Sequence, residues 1–312
     1  MVSIETTFSA HLQYQVIPSQ PAWNRIFHPT DFSETSAVAF AHALKFATLE
    51  HGQLTILHTE TDQSNRHWSE FPRVRTTLER WDMLPPNAPK EAFADIGLKI
   101  EKISASHKNT EESILHYLHK HPHDLIVLAT HQYRGLERLT HKTIAESVAR
   151  RSGEMTLFIP EGVEGFVSLA DGAVNLKHIL IPVDHAPQPQ IAINAAASIA
   201  ELLGCTDVLF TVLHIGPSRS FPAIKTYAGE HWKWEASLEY GDIEEQVLRA
   251  AEHGNADLIV MATEGHHGFL DALRGSTTER IVRAADCPVL AVPALDNPPN
   301  SFQEIPVWSS AE

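Results

Sequence analysis

The feature that most constrains this fold is a repeat inside the chain. RIFHPTD (Arg25–Asp31) matches HILIPVD (His178–Asp184), each a short run ending in Pro-x-Asp. LTILH (Leu54–His58) matches FTVLH (Phe210–His214). DLIVLAT (Asp124–Thr130) matches DLIVMAT (Asp257–Thr263), and MTLFIP (Met155–Pro160) matches CPVLAVP (Cys287–Pro293). Four segments recur in the same order, which is the mark of a duplicated domain. The repeats are short, nearly continuous apolar runs, as expected of strands buried on both faces of a parallel sheet.

Helical patterns lie between these runs. Ser36 to Glu50 sets Phe40, Leu44 and Ala47 on one face, with Gly52 just beyond. Ile191 to Leu203 sets Ala192, Ala195, Ala196, Ile199 and Leu203 on one face, with Gly204 as the stop. Glycine after a helix suits a left-handed C-terminal cap. Strand and helix alternation predicts right-handed crossovers, hence α/β architecture: two tandem, doubly wound parallel-sheet domains. The expected division is a 1–23 N-terminal extension, a 24–160 first domain, a 161–176 linker containing Gly162, Gly165 and Gly172, a 177–293 second domain, and a 294–312 tail. Domain 1 carries a polar insertion from about Thr59 to Gly97, with room for a helix around Arg73–Trp81. The shorter Gly216–Lys233 stretch of domain 2 brings Phe221 and Tyr227, with Trp232 and Trp234 at its end, expected to pack on the sheet edge rather than form a lid.

Bulk properties narrow the function. A net charge of -15 opposes polyanionic partners, so nucleic-acid binding is not expected. Arg134, Arg138, Lys142, Arg150 and Arg151 are read as a solvated helix face. Cys205 and Cys287 sit in apolar stretches and read as small core residues. Residues 1–22 lack a basic start followed by an apolar run, and no stretch approaches the roughly 20 apolar residues of a membrane span, so a cytoplasmic protein without membrane contact is expected. His116, His119, His121 and His123 cluster, but no acidic or cysteine partner stands at ligand spacing, so no metal site is expected.

In an open doubly wound sheet, ligands sit beyond the carboxyl ends of the strands. After the fourth strand of domain 2 comes Thr263-Glu-Gly-His-His-Gly268, then six residues, then Gly275-Ser-Thr-Thr-Glu279. Glycines admit close backbone approach, and a helix start offers free N–H groups and a positive dipole end to an anion. Ser276 and Thr277 add hydroxyls, although Ser276-x-x-Glu279 also reads as a capping box. Asp184 after the first strand can accept from a ribose hydroxyl or a base amine, or serve as a helix-start carboxylate.

Together, the Pro-x-Asp run, the Asp-Leu-Ile-Val strand, Gly-x-x-Gly followed by Gly-Ser, and Cys-Pro-Val-Leu-Ala-Val-Pro resemble the universal stress protein family. The resemblance covers about residues 24–160 and 177–293. It implies a five-stranded parallel sheet in each domain, an adenine nucleotide alpha hydrolase-like fold, with domains paired through Thr156–Pro160 and Val289–Pro293 as an internal pseudo-dimer. It also implies an adenine nucleotide, ATP first, with or without magnesium, held by Pro182, Val183, Asp184, Leu213, Gly265, His267, Gly268, Gly275, Ser276 and Thr277. The spacer before Gly275 is shorter than in the best-known ATP-binding version by about one helical turn. In domain 1, Gln132 and Lys142 replace the first and third glycines, so that loop is expected to be degenerate.

The functional expectation is a stress or signalling protein that binds nucleotide without efficient catalysis and acts on a protein partner. The alternatives are an ATP-hydrolysing or adenylate-forming enzyme, and a nucleotide-free structural pseudo-dimer. His214-Ile-Gly-Pro217 brushes against a class I synthetase signature but follows the second strand and ends in proline. Glu264 and Asp271 are the carboxylates nearest the loop, and Arg274 its nearest cation.

Overall fold

The computed structural model describes residues 23–49, 51–60, 68, 71–89, 91–106, 109–130, 144–264 and 277–294. In the first half, β1 (Arg25–Thr30), α1 (Glu34–Leu49) and β2 (Gln53–Glu60) lead into the insertion. The insertion forms α2 (Val74–Arg80) and the short α3 (Ala92–Asp95), followed by β3 (Lys99–Ser106), α4 (Thr110–Lys120), β4 (Leu125–Thr130), α5 (Ile144–Ser152) and β5 (Thr156–Pro160). The second half runs β6 (His178–Pro182), α6 (Gln190–Leu202), β7 (Leu209–Ile215), β8 (Lys233–Glu239), α7 (Ile243–Gly254), β9 (Leu258–Thr263), α8 (Thr277–Ala284) and β10 (Val289–Pro293).

The strands make one ten-stranded sheet in the order β3-β2-β1-β4-β5-β10-β9-β6-β7-β8. Pairing is parallel within each half and antiparallel at the seam, where Val289, Leu290 and Ala291 face Phe158, Leu157 and Thr156. Leu157, Phe158, Val289 and Leu290 are buried there. Each such side chain contributes about 1.5–3 kcal/mol on leaving water.

Two apolar layers sandwich the sheet. One packs Ile26, Phe40, Leu44, Leu54, Ile181, Ile199 and Val260 together with α1 and α6. The other packs Phe27, Leu57, Ile114, Phe158, Leu180, Val247 and Ile281 against α4, α5, α7 and α8. The repeated Asp before each fourth strand has a structural role in both halves. Asp124 Oδ2 accepts the backbone N–H of Asn24 and Arg25 at 3.0 and 2.8 Å. Asp257 Oδ2 accepts those of Lys177 and His178 at 2.7 and 2.9 Å. These bonds tie the amino ends of neighbouring central strands.

The helix stops differ from expectation in one half. Gly204 takes the left-handed conformation at φ 66°, and Cys205 N bonds back to Ala200 O at 2.8 Å. After α1 the left-handed residue is His51 (φ 51°), held by Nδ1 donating to Ile96 O at 3.0 Å. Gly52 serves a different need, because a Cβ there would lie 2.6 Å from Asn24 O.

Residues 161–176 connect the halves and are anchored in the core by three apolar side chains. Phe166, Val167 and Leu176 are buried, and Val167 bridges Val174. The insertion leans on the same segment, with Arg80 Nη2 donating to Leu169 O at 2.8 Å. In the second half Trp234 stacks on Phe210 at 4.1 Å, and Trp232 donates to Cys205 O at 2.7 Å, so these rings cover the sheet flank.

Candidate functional site

The strand order around β6 creates a crevice. From β6 the chain crosses to β7 on one side and later to β9 on the other. Such a reversal splays the connections and opens the carboxyl edge between the two strands. Pro182, the last residue of β6, stands in register with the buried Leu213 of β7. Val183 N donates to Leu213 O at 2.8 Å, which directs the following Asp184 out of the sheet. Asp184 is exposed, and its Oδ1 accepts the backbone N–H of His185 at 2.7 Å.

His214 braces this edge from beneath. Its Nδ1 lies 3.1 Å from Val183 O and its Nε2 2.9 Å from Ser220 Oγ. Across the crevice β9 ends at Thr263, whose carbonyl accepts Ala294 N at 2.8 Å. Thr277 opens α8, and its Oγ1 lies 3.5 Å from Arg280 Nη2. The structure thus brings Pro182, Val183, Asp184 and Leu213 together, and α8 is described from Thr277 onward. Gly265, His267, Gly268, Gly275 and Ser276 lie outside the described residues, as do Asp271 and Arg274.

The first half repeats the frame and fills it. His58 Nδ1 donates to Thr30 O at 2.8 Å, the counterpart of His214 with Val183. The residue after Asp31 is Phe32, left-handed at φ 62° and buried. Its ring stacks on His58 at 4.1 Å, with Trp68 edge-on at 5.1 Å and Phe71 at 5.6 Å. Beneath them Thr30 Oγ1 takes Phe32 N at 3.0 Å and contacts Ser36 Oγ at 2.7 Å. Ser36 Oγ in turn lies 3.3 Å from His28 Nε2, while His28 Nδ1 donates to Val127 O at 2.9 Å. Burial lowers His28 to about 4, so it stays neutral. Rings contributed partly by the insertion bury Phe32, whose counterpart His185 is exposed, while Asp31 and Asp184 are exposed alike. The loop positions Gln132 and Lys142 lie outside the described residues.

Two groups escaped the sequence reading. Phe32 carried only a positional signal, since it stands where the repeat has His185. Glu146 on α5 carried none: Arg283 on α8 grips it with Nε donating to Oε1 at 2.7 Å and Nη2 to Oε2. The Glu146 side chain is only 4% exposed. The histidine cluster disperses. His123 is buried against Thr55 Oγ1 at 3.3 Å, while His116, His119 and His121 are exposed. Among the described residues no group of three His, Cys, Asp or Glu side chains is placed to hold a metal. No described helix is long and apolar enough to cross a membrane.

Fold and site together define an open α/β protein duplicated within one chain, its strand order reversing at β1 in the first half and at β6 in the second. The chain belongs to the universal stress protein family, which it matches twice, over residues 22–160 and 175–293. It is 34% identical over 141 residues to universal stress protein A homolog 1 of Coxiella burnetii, covering 38% of this chain and 97% of that one. A universal stress protein of Methanocaldococcus jannaschii is 30% identical over 139 residues, covering 37% of this chain and 81% of its own. Among solved structures, a universal stress protein from Archaeoglobus fulgidus superposes with a TM-score of 0.56 at 17% identity, covering 86% of this chain and 98% of that one. A functionally unknown Pseudomonas aeruginosa protein gives 0.57 at 16% identity, covering 87% and 93%. At such identity these two likenesses speak to the fold.

Proposed function

We propose that this chain is a stress-response or signalling protein holding one adenine nucleotide, ATP in the first instance, in the β6–β9 crevice, without efficient catalysis. The observation that carries this reading is the asymmetry between the halves. Phe32 is buried against Trp68 and Phe71 in the first half, whereas its counterpart His185 is exposed in the second. The residues present suit the ligand. Pro182, Val183 and Leu213 offer an apolar wall for a base. Asp184 Oδ2 has no partner among the described residues and can accept ribose hydroxyls. A helix start beside Thr277 would offer free amides to phosphate, and the glycines preceding it in sequence would let phosphate reach the backbone. Phosphoryl transfer would further require a held metal and an aligned nucleophile. Glu264, exposed after β9, is the described carboxylate nearest that loop in sequence.

Calorimetry with ATP tests this directly. One site per chain is expected, abolished by Gly268→Leu; two equivalent sites, or binding that survives the substitution, would overturn the assignment. Single-turnover hydrolysis with magnesium near about 1 per second, collapsing in Ser276→Ala or Asp271→Asn, would replace the binding reading with an enzyme. Mass spectrometry of purified, denatured protein that releases no nucleotide, together with silent calorimetry, would leave the structural pseudo-dimer.

A further inference from the structure

A second concavity lies in the first half, on the opposite side of that sheet from α1. It is a cleft of about 430 Å³ between α4 and the edge strand β3. Small-molecule sites usually occupy about 300–1,000 Å³, mostly apolar with a few convergent polar groups. Its floor is Leu57, Ile103 and Ala105. One wall is Tyr117, fixed between two parallel rings, Phe27 at 5.8 Å and His121 at 4.5 Å. That wall is rigid before any ligand arrives, which lowers the cost of binding.

The rim carries one lysine, in a chain of net charge -15. His116, Lys120 and His121 line it and are exposed. Among the described residues Lys120 has no ion-pair partner. The lining carboxylate, Glu112, is paired with Arg151 at 2.8 Å. Glu101, two residues before Ile103 on β3, accepts from Gln53 Nε2 at 3.0 Å. An unpaired ammonium beside an apolar floor selects one anionic head joined to a short apolar body. The second half lacks these parts. Aligning the side-chain caps Asn109 of α4 and Asp242 of α7 puts Ala250 opposite Tyr117 and Gly254 opposite His121.

We infer that the α4–β3 cleft binds a small amphipathic monocarboxylate, with its apolar body on Leu57, Ile103, Ala105 and Tyr117 and its carboxylate at Lys120. This site is separate from the proposed nucleotide crevice and stands whether or not nucleotide binds. The probes are octanoate and its cationic counterpart, octylammonium. Calorimetry should show one octanoate per chain, unaffected by saturating ATP, with affinity falling about tenfold or more in Lys120→Glu and with added salt. Ala105→Trp, which fills the cleft, should abolish binding. Nuclear Overhauser contacts from octanoate to the Tyr117 ring in the unaltered protein locate the ligand without relying on any variant. Equal binding of octylammonium, octanoate binding that persists in Ala105→Trp, absence of Tyr117 contacts, or no binding at millimolar octanoate would each overturn the assignment.

Discussion

His42 shows how much one buried side chain can hold. It lies inside α1 with Nδ1 donating to Val38 O at 2.9 Å, so Nε2 is free to accept. It accepts two backbone N–H groups of the connecting segment, Phe166 at 3.1 Å and Val167 at 3.2 Å. Gly165 makes room, because at φ 69° its added Cβ would lie 2.4 Å from the imidazole. Gly165→Ala should therefore destabilise the chain by about 2 kcal/mol or more, from left-handed strain plus the clash, as urea unfolding would report. Burial lowers His42 and His28 to about 4, against 6.5 when solvated. Between those values the unfolded chain binds protons that the folded chain does not. The stability from these two residues is thus complete above about 6.5 and lost as pH falls toward 4, by roughly 3 kcal/mol at most for each. Glu154 works in the opposite direction. Burial raises it to about 7 from 4.5, so its contribution is present at low pH and lost as pH rises through 7. Glu154→Gln should gain about 1 kcal/mol at pH 8, after solvent screening, and nothing at pH 4; an equal gain at both values would refute the assignment. None of this was legible in the sequence. A lone histidine on an apolar helix face looks the same whether it packs or clamps, and its partners lie over a hundred positions away.

At the scale of elements, α5 and α8 meet through Arg283 and Glu146, each helix belonging to a different half. Removing one partner of a buried pair strands the other, at a cost of about 3–5 kcal/mol, whereas replacing both with apolar groups is nearly neutral. Arg283→Met alone should cost about 3 kcal/mol, and Arg283→Met with Glu146→Leu should recover most of it in a double-mutant cycle. Additive losses would mean that the two side chains do not act as a pair. The central strands were legible because burial on both faces writes an unbroken apolar run, and α2 falls within the span expected for it. The edge strands β3 and β8 left no repeated motif. Lys99–Ser106 and Lys233–Glu239 have one neighbour each and many solvated positions, so polar side chains are tolerated and the pattern fades.

For the whole molecule, the seam, the Arg283–Glu146 pair and the 161–176 segment, anchored by the buried Phe166, Val167 and Leu176, all cross between halves. The chain should therefore unfold in one cooperative transition, with circular dichroism and tryptophan fluorescence superimposing; two separated transitions would show the halves to be independent. The duplication was readable because it repeats letters, and its pairing through the last strands came with the family resemblance, which the β5–β10 seam bears out. Of the candidate site, the neighbours Pro182, Val183, Asp184 and Leu213 were legible as adjacent strand ends, while the burial of Phe32 depends on its left-handed turn and on Trp68 and Phe71 arriving from the longer insertion.

Joining β5 to β10 within one polypeptide changes what the protein can become. Two separate chains meeting at such a seam would come apart on dilution, and one gene would impose every substitution on both crevices at once. Here the partners are tethered for life, at fixed one-to-one stoichiometry and without subunit exchange. Each copy can drift on its own, so one can lose a ligand while the other retains it.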